Sequence, residues 1–180
     1  MTWVNKPHLE PYGDIFRTVE QTNYRDRRGK LWTVPEHMVT DFATVPRVAV
    51  WLLPKFGKWT EASIMHDWGC EHGIQLGLIT SVENDRMFRE IMNEAGVSWL
   101  ARWLMWAGVR WGALFNPIRR PGWFTDFWKL IGISLVALLI LPPAAVGILY
   151  GQLVFGAIQW PTSVLLGNSE PTTTGVELST

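Results

Sequence analysis

The chain has very little cysteine and no surplus of charge of either sign. Cys70 is the single cysteine among 180 residues, which excludes an intrachain disulfide framework and a zinc site built from several thiolates. The 16 basic side chains balance 16 acidic ones, so the molecule lacks the basic surplus with which nucleic-acid-binding proteins neutralise phosphates. We therefore expect no nucleic-acid partner. A hydrophobic fraction of 48% also excludes a wholly disordered chain.

Charged side chains are absent from one long stretch. All 16 basic residues lie at or before Lys129, and residues 130–169 contain no charged side chain. A helix needs about 20 apolar residues to cross the roughly 30 Å hydrocarbon layer of a membrane, and residues 130–160 exceed that length. The amino end has no apolar segment of the kind that signal peptides contain. We therefore predict a membrane-spanning segment at residues 130–160.

Two prolines, Pro142 and Pro143, lie in the middle of this segment. Proline lacks an amide donor and clashes with the preceding helical turn, so two topologies are open. One is a single pass kinked at the prolines, which we favour, and the other is a re-entrant hairpin that turns there.

The charges on the two sides of the segment predict its orientation. Arg119, Arg120 and Lys129 precede it, whereas only two acidic residues follow it. Basic residues next to membrane helices lie mainly on the cytoplasmic side. We therefore expect the amino-terminal domain in the cytoplasm and the tail outside.

The fold class that the sequence predicts is α+β. Partial alternation and a turn at Gly29 predict an N-terminal β-hairpin or small meander between Asp14 and Phe42. Helical signals begin at Thr60, a predicted N-cap, and Thr80 with Glu83 has the spacing of a capping box.

Three helices are predicted, at residues 60–73, 80–96 and 98–112, and a C-terminal transmembrane helix follows them. We divide the chain into a soluble domain, a basic and aromatic juxtamembrane linker, the transmembrane segment and a disordered polar tail, at residues 1–116, 117–129, 130–160 and 161–180.

The third predicted helix carries tryptophans around nearly its whole circumference, so it has hardly any wet face. Tryptophan and arginine together suit the headgroup layer of a membrane. We therefore predict a set of membrane-interface residues in this helix and after it: Trp99, Arg102, Trp103, Trp106, Arg110, Trp111, Arg119, Arg120, Trp123, Trp128 and Lys129.

Four polar residues fall where packing does not require them: Asp41, the adjacent pair His66 and Asp67, and Asp85. A histidine held by a carboxylate from another helix can deprotonate water, and a neighbouring aspartate can bind a divalent cation. The competing interpretation is a buried hydrogen-bonded unit that braces the loops.

Four segments carry a resemblance to a known family. They are VPEHMVTDFATVPR, ASIMHDWGC, ENDRMFREIMNEAGV and MWAGVRWG, at residues 34–47, 62–70, 83–97 and 105–112. The series resembles the phage-encoded domain of unknown function 1353 family, with its TD-x-A-S-VPR connector and its HD-x-x-Y, AD-x-x-F and Y-x-AVR-x-x-G helices. Thr44, Cys70 and Asn84 depart from that pattern. The resemblance implies a phage or prophage origin and brings no established activity with it.

The same two helices are also similar to the phospholipase A2 pattern. That likeness implies His66 as the base, Asp85 as the residue that orients it, and Asp67 as a ligand of Ca²⁺ or another divalent cation. We add Asp41, which the pattern does not include, as a second candidate metal ligand. The glycine-rich calcium loop of that pattern is missing here, and Cys70 replaces its supporting tyrosine.

From these observations we expect a membrane-anchored phage protein at the host inner membrane, with a structural or interaction role in lysis, virion contact with the membrane or exclusion of other phages. Its partners would be the lipid bilayer and other phage or host membrane proteins. The alternative is a metal-assisted, phospholipase A2-like hydrolase of lipid or another ester.

Overall fold

The computed structural model of the protein describes residues 2–13, 15–42, 54 and 56–166. Six short strands come first: β1 (Thr2–Asn5), β2 (Leu9–Tyr12), β3 (Ile15–Thr18), β4 (Thr22–Arg25), β5 (Leu31–Val34) and β6 (Val39–Thr40). The helices follow: α1 (Thr60–Trp68), a π-helical turn (Gly69–Gly73), α2 (Ser81–Glu94), α3 (Trp99–Phe115) and α4 (Phe127–Leu166). The protein is therefore of the α+β class, as the sequence predicts.

The strands form two antiparallel three-stranded sheets, in the orders β1-β4-β5 and β2-β3-β6. The predicted hairpin is confirmed in β4 and β5, and its turn uses Gly29 at a φ of 79°. Asp26 stabilises this turn because its carboxylate accepts hydrogen bonds from the amides of Arg28 and Lys30, at 2.8 and 3.0 Å. The sequence did not predict β1 and β2.

The helix boundaries follow local hydrogen bonding. Thr80 and Glu83 form the predicted capping box at the start of α2. Thr60 is not the N-cap of α1, and this prediction was wrong. Trp59 occupies the cap position, and the Thr60 hydroxyl donates instead to the carbonyl of Gly57 at 2.8 Å. The predicted connector after β6 lies outside the described residues beyond Phe42.

The main core lies between the sheets and the first two helices, and Tyr24 and Val34 on the strands are fully buried in it. On α2 the predicted apolar face is confirmed, because Phe88, Ile91 and Met92 are at most 1% exposed. A second cluster joins α3 to the segment after it and to the start of α4, and it consists of Trp106, Ala107, Ala113, Trp123, Leu130 and Ile133.

The chain divides into two compact units, Met1–Ile140 and Leu141–Thr180. Helix α4 continues through Pro142 and Pro143, so the described chain has no re-entrant turn at the prolines. The helix also extends to Leu166, past the predicted end of the segment at Trp160. Residues 167–180 of the predicted tail lie outside the described residues.

Candidate functional site

A fully buried carboxylate, that of Asp85, lies at the centre of a cluster of cationic side chains. Asp85 lies in the second turn of α2, on the face that packs against α1 and α3. Its Oδ1 accepts hydrogen bonds from His66 Nε2 at 2.8 Å and from Arg119 Nη2 at 2.8 Å. Its other oxygen, Oδ2, accepts from Arg110 Nη1 at 3.0 Å. The carboxylate therefore joins α1, α2, α3 and the segment before α4.

His66 is positioned by the end of α1 and by the π-helical turn that follows. Its side chain is only 7% exposed and contacts the ring of Phe88, with the two ring centroids 4.9 Å apart. The Asn84 side chain donates to the His66 carbonyl at 3.0 Å, which ties the end of α1 to α2. The two helices come this close because residue 69 is glycine: a Cβ there would lie 2.0 Å from Asn84 Oδ1.

The electrostatics of the pair favour its charged form. Burial alone lowers the pKa of His66, but the nearby Cys70 sulfur and the hydrogen-bonded Asp85 carboxylate outweigh it and raise this pKa to about 10. Burial alone raises the pKa of Asp85, but His66, Arg119 and Arg110 hold it below its usual range. Both shifts favour the imidazolium and the carboxylate over the neutral forms of the two side chains.

Both arginines are also held by backbone carbonyls. Arg110 donates to the carbonyls of Gly122 and Trp123, at 3.0 and 2.8 Å, and Arg119 donates to that of Val109 at 3.1 Å. These carbonyl dipoles help to compensate the guanidinium charges that the single carboxylate leaves unbalanced. The cluster is therefore a buried network in which the carboxylate and both guanidinium groups form several hydrogen bonds with the protein.

Sequence reasoning assigned part of this network to the membrane interface, and the structure corrects that assignment. Arg110 is 1% exposed, Trp106 2% and Trp123 6%, and only 12% of the Arg119 side chain is exposed. Side chains this buried do not face lipid headgroups. One feature of the sequence could have identified Arg110 as part of the site: it lies in the motif segment MWAGVRWG, directly after Val109.

The other predicted interface residues differ in their surroundings. Trp99 and Trp128 are exposed, at 57% and 83%, and so are Arg120 and Lys129. The remaining three are half-buried, namely Arg102, Trp103 and Trp111.

The predicted metal ligands do not join the cluster. Asp67 Oδ2 accepts a hydrogen bond from the Thr40 hydroxyl, on the side of α1 that faces β6, and Asp41 is exposed. Burial raises the pKa of Asp67 to about 6, and the charge of Asp41 adds to this, while the Thr40 bond and His66 act in the opposite direction. Across residues 2–13, 15–42, 54 and 56–166 no three His, Cys, Asp or Glu side chains are arranged to hold a metal ion. Calcium takes six to eight oxygen ligands, so this donor set does not fit it.

A cleft of about 660 Å³ lies on another part of the unit Met1–Ile140. Its lining includes Lys6 of the segment after β1, Glu61 of α1 and Glu94 of α2, but neither His66 nor Asp85. The His66–Asp85 pair therefore does not open into this cleft.

A protein-family model described as "Protein of unknown function (DUF1353)" matches residues 16–109, more than half of the chain. The match covers α1 and α2 with the His66–Asp85 pair, and it ends just before Arg110. No curated protein and no solved structure matches the chain.

Proposed function

The chain belongs to DUF1353, a family of proteins of unknown function, and we propose that it is a membrane-anchored phage or prophage protein with a structural or interaction role at the host membrane. In this proposal α4 crosses the host inner membrane once, with the soluble domain in the cytoplasm and the tail outside. The order and spacing of the four motif segments support the phage origin. The bilayer and other phage or host membrane proteins are the partners.

One observation carries the proposal: α4 is long, apolar and uncovered. The most apolar 18-residue window within Phe127–Val164 has a mean hydropathy of 2.3, and only 6% of that window is buried within the protein. A core helix of a soluble protein would be covered by its neighbours, and a water-exposed apolar surface of this size is unfavourable. A bilayer is the solvent that removes it from water.

The test introduces charge into α4. Leu149 and Leu153 are 58% and 75% exposed, and each aspartate in the middle of a spanning helix costs about 2.5–3.5 kcal/mol of insertion free energy. We expect L149D/L153D to leave the membrane fraction on alkaline carbonate extraction. The matched control L76D/L78D changes two exposed leucines of the soluble domain, and it should stay in that fraction with the wild type. Extraction of the wild type itself would contradict the proposal.

The second candidate function is the ester or lipid hydrolase. The distance of 2.8 Å between His66 Nε2 and Asp85 Oδ1 favours it, because this is the contact by which a carboxylate orients a catalytic histidine. Three features oppose it: the pKa of His66 is raised, its side chain is buried, and the neighbouring carboxylate of Asp67 accepts a hydrogen bond from Thr40. A protonated imidazole cannot accept a proton from water.

Hydrolysis of fluorescent phospholipid vesicles, with and without Ca²⁺, separates the two functions. We expect no hydrolysis by the wild type under either condition. Activity that is lost in His66→Ala and kept in His72→Ala would establish the hydrolase instead. His72 is the control because it is exposed, and the histidine bonded to Asp85 is His66.

A further inference from the structure

The segment between α3 and α4, residues 116–126, is bonded to the soluble domain along its length. Arg119 reaches Asp85 near its start, and at its end Arg86 Nη2 of α2 lies 2.7 Å from Asp126 Oδ2. Gly122, at a φ of 76°, packs so closely on α2 that a Cβ there would lie 2.9 Å from Val82 Cγ2. The segment is therefore a docked part of the domain rather than a free tether.

The first turns of α4 are docked as well. Leu130 is 1% exposed and Ile133 is 8% exposed, both in the cluster that α3 shares. The indole of Trp111 donates to the Ser134 hydroxyl at 2.9 Å, which joins α3 to the second turn of α4. The first two turns of α4 are thus held against α3 within the unit Met1–Ile140.

Four large apolar side chains around this junction are exposed, and we call them the apolar collar: Phe115, Ile118, Phe124 and Trp128, at 80%, 52%, 77% and 83%. Phe127 links two of them, with ring centroids 6.0 Å from Phe124 and 5.5 Å from Trp128. Soluble surfaces seldom expose so many large apolar side chains so close together in the sequence. The exposed cation Arg120 lies between Ile118 and Phe124, and Lys129, also exposed, directly follows Trp128.

The length of α4 indicates what covers the collar. The 38 residues of Phe127–Val164 span about 57 Å as a helix, whereas the hydrocarbon layer is about 30 Å thick and the whole bilayer about 40–45 Å. Part of the helix must therefore lie outside the hydrocarbon. The amino end is the part whose side chains already pack on protein, so the collar beside it lies at headgroup depth.

We propose that the apolar collar inserts into the headgroup layer of the membrane that α4 enters, so that the soluble domain rests on the bilayer in a fixed orientation. Aromatic rings are favoured in this layer, and the cations beside them can contact lipid phosphates. The inference deepens the proposed function and depends on it, because the collar reaches the headgroups only if α4 is inserted.

The test places a fluorescent probe at single cysteines in a Cys70→Ser background. The full chain is reconstituted in vesicles of phosphatidylcholine and phosphatidylglycerol that contain nitroxide-labelled lipid. Phe124→Cys reports on the collar, Leu76→Cys on an exposed site of the domain that lies outside it, and Leu153→Cys on α4. Near-ultraviolet circular dichroism checks that each variant keeps the wild-type tertiary structure.

We expect the probe at position 124 to shift its emission to the blue and to lose fluorescence to a headgroup-proximal nitroxide, while the probe at position 76 changes in neither respect. If the probe at position 153 is quenched but the probe at position 124 shows neither the blue shift nor the quenching, the insertion of the collar is contradicted and the membrane anchor is retained. A lack of quenching at position 153 would overturn the anchor, and the collar with it.

Discussion

Arg119 and Asp85 lie far apart in the sequence, yet Arg119 Nη2 donates to Asp85 Oδ1 at 2.8 Å inside the unit Met1–Ile140. Arg110 binds the other carboxylate oxygen, and His66 shares the first one. The segment that leads to α4 is thus attached to the same carboxylate as α1 and α3. We therefore expect the stability of the unit Met1–Ile140 to depend on one buried anion.

Replacement of that anion by a neutral side chain leaves its cations buried and uncompensated. We expect Asp85→Asn to lower the free energy of unfolding by about 3–5 kcal/mol, as for other broken buried ion pairs. Thermal unfolding of the full chain in detergent, followed by near-ultraviolet circular dichroism, measures this. As a control, Glu90→Gln removes a half-buried partner of the exposed Arg27, 3.9 Å away, and should change the stability by less than about 1 kcal/mol. Equal stability losses in the two variants would show that the cluster does not brace the fold.

The protonation state of His66 distinguishes a structural role in the ion pair with Asp85 from a catalytic role as a general base. Because Cys70 and Asp85 raise its pKa to about 10, we expect the imidazole to remain protonated at pH 8. Its contribution to stability is then complete below pH 6.5 and is lost as the pH rises through about 10. Nitrogen-15 NMR of labelled histidine measures this, with the His66 signals assigned as those missing from His66→Gln. Titration of these signals near pH 7 would support the hydrolase.

Asp67 should make the domain less stable as the pH rises. Its pKa is raised from 3.8 to about 6, so the folded protein binds a proton that the unfolded chain has released between these values. Stability therefore falls as the pH rises through about 6, by about 3 kcal/mol for a two-unit shift. We expect Asp67→Asn to match the wild type at pH 4 and to exceed its stability at pH 8. Unfolding curves of both proteins at the two pH values check this, and a wild type that is at least as stable as the variant at pH 8 would refute it.

Gly69 should be required for the close contact of α1 and α2. A Cβ at this position would lie 2.0 Å from the buried Asn84 Oδ1, so Gly69→Ala must displace α2 or the amide, and we expect a loss of about 1–3 kcal/mol. Gly108 of α3 is the matched control, because a Cβ there meets no atom within 4 Å. Alanine at position 108 should stabilise the helix by up to about 1 kcal/mol. Denaturant unfolding of the two variants measures both changes in the free energy of unfolding. A Gly69→Ala variant as stable as the wild type would contradict the packing argument.

The sequence predicted those parts of the structure that depend on local interactions. The capping box of Thr80 and Glu83 and the apolar spacing of Phe88 and Ile91 are properties of neighbouring residues, and both are confirmed in α2. The pairing of His66 with Asp85 was a hypothesis based on polar positions in two neighbouring predicted helices, and in the structure His66 Nε2 and Asp85 Oδ1 lie 2.8 Å apart.

The rest depends on contacts between distant segments. An arginine near an apolar segment can face lipid headgroups or a buried carboxylate, and sequence patterns alone do not distinguish the two. Arg110 and Arg119 were for that reason assigned to the interface, whereas they bind Asp85. The engagement of Asp67 by Thr40 likewise depends on how β6 packs on α1, which no local pattern encodes.

The central claim, that α4 crosses the membrane once with the soluble domain in the cytoplasm, is tested most directly by cysteine labelling on intact cells. Leu76→Cys lies in the soluble domain and Thr174→Cys in the tail, each in a Cys70→Ser background. We predict that a membrane-impermeant maleimide labels position 174 on intact cells and reaches position 76 only after permeabilisation. Protection of position 174 together with labelling of position 76, or labelling of both positions on intact cells, would contradict the account.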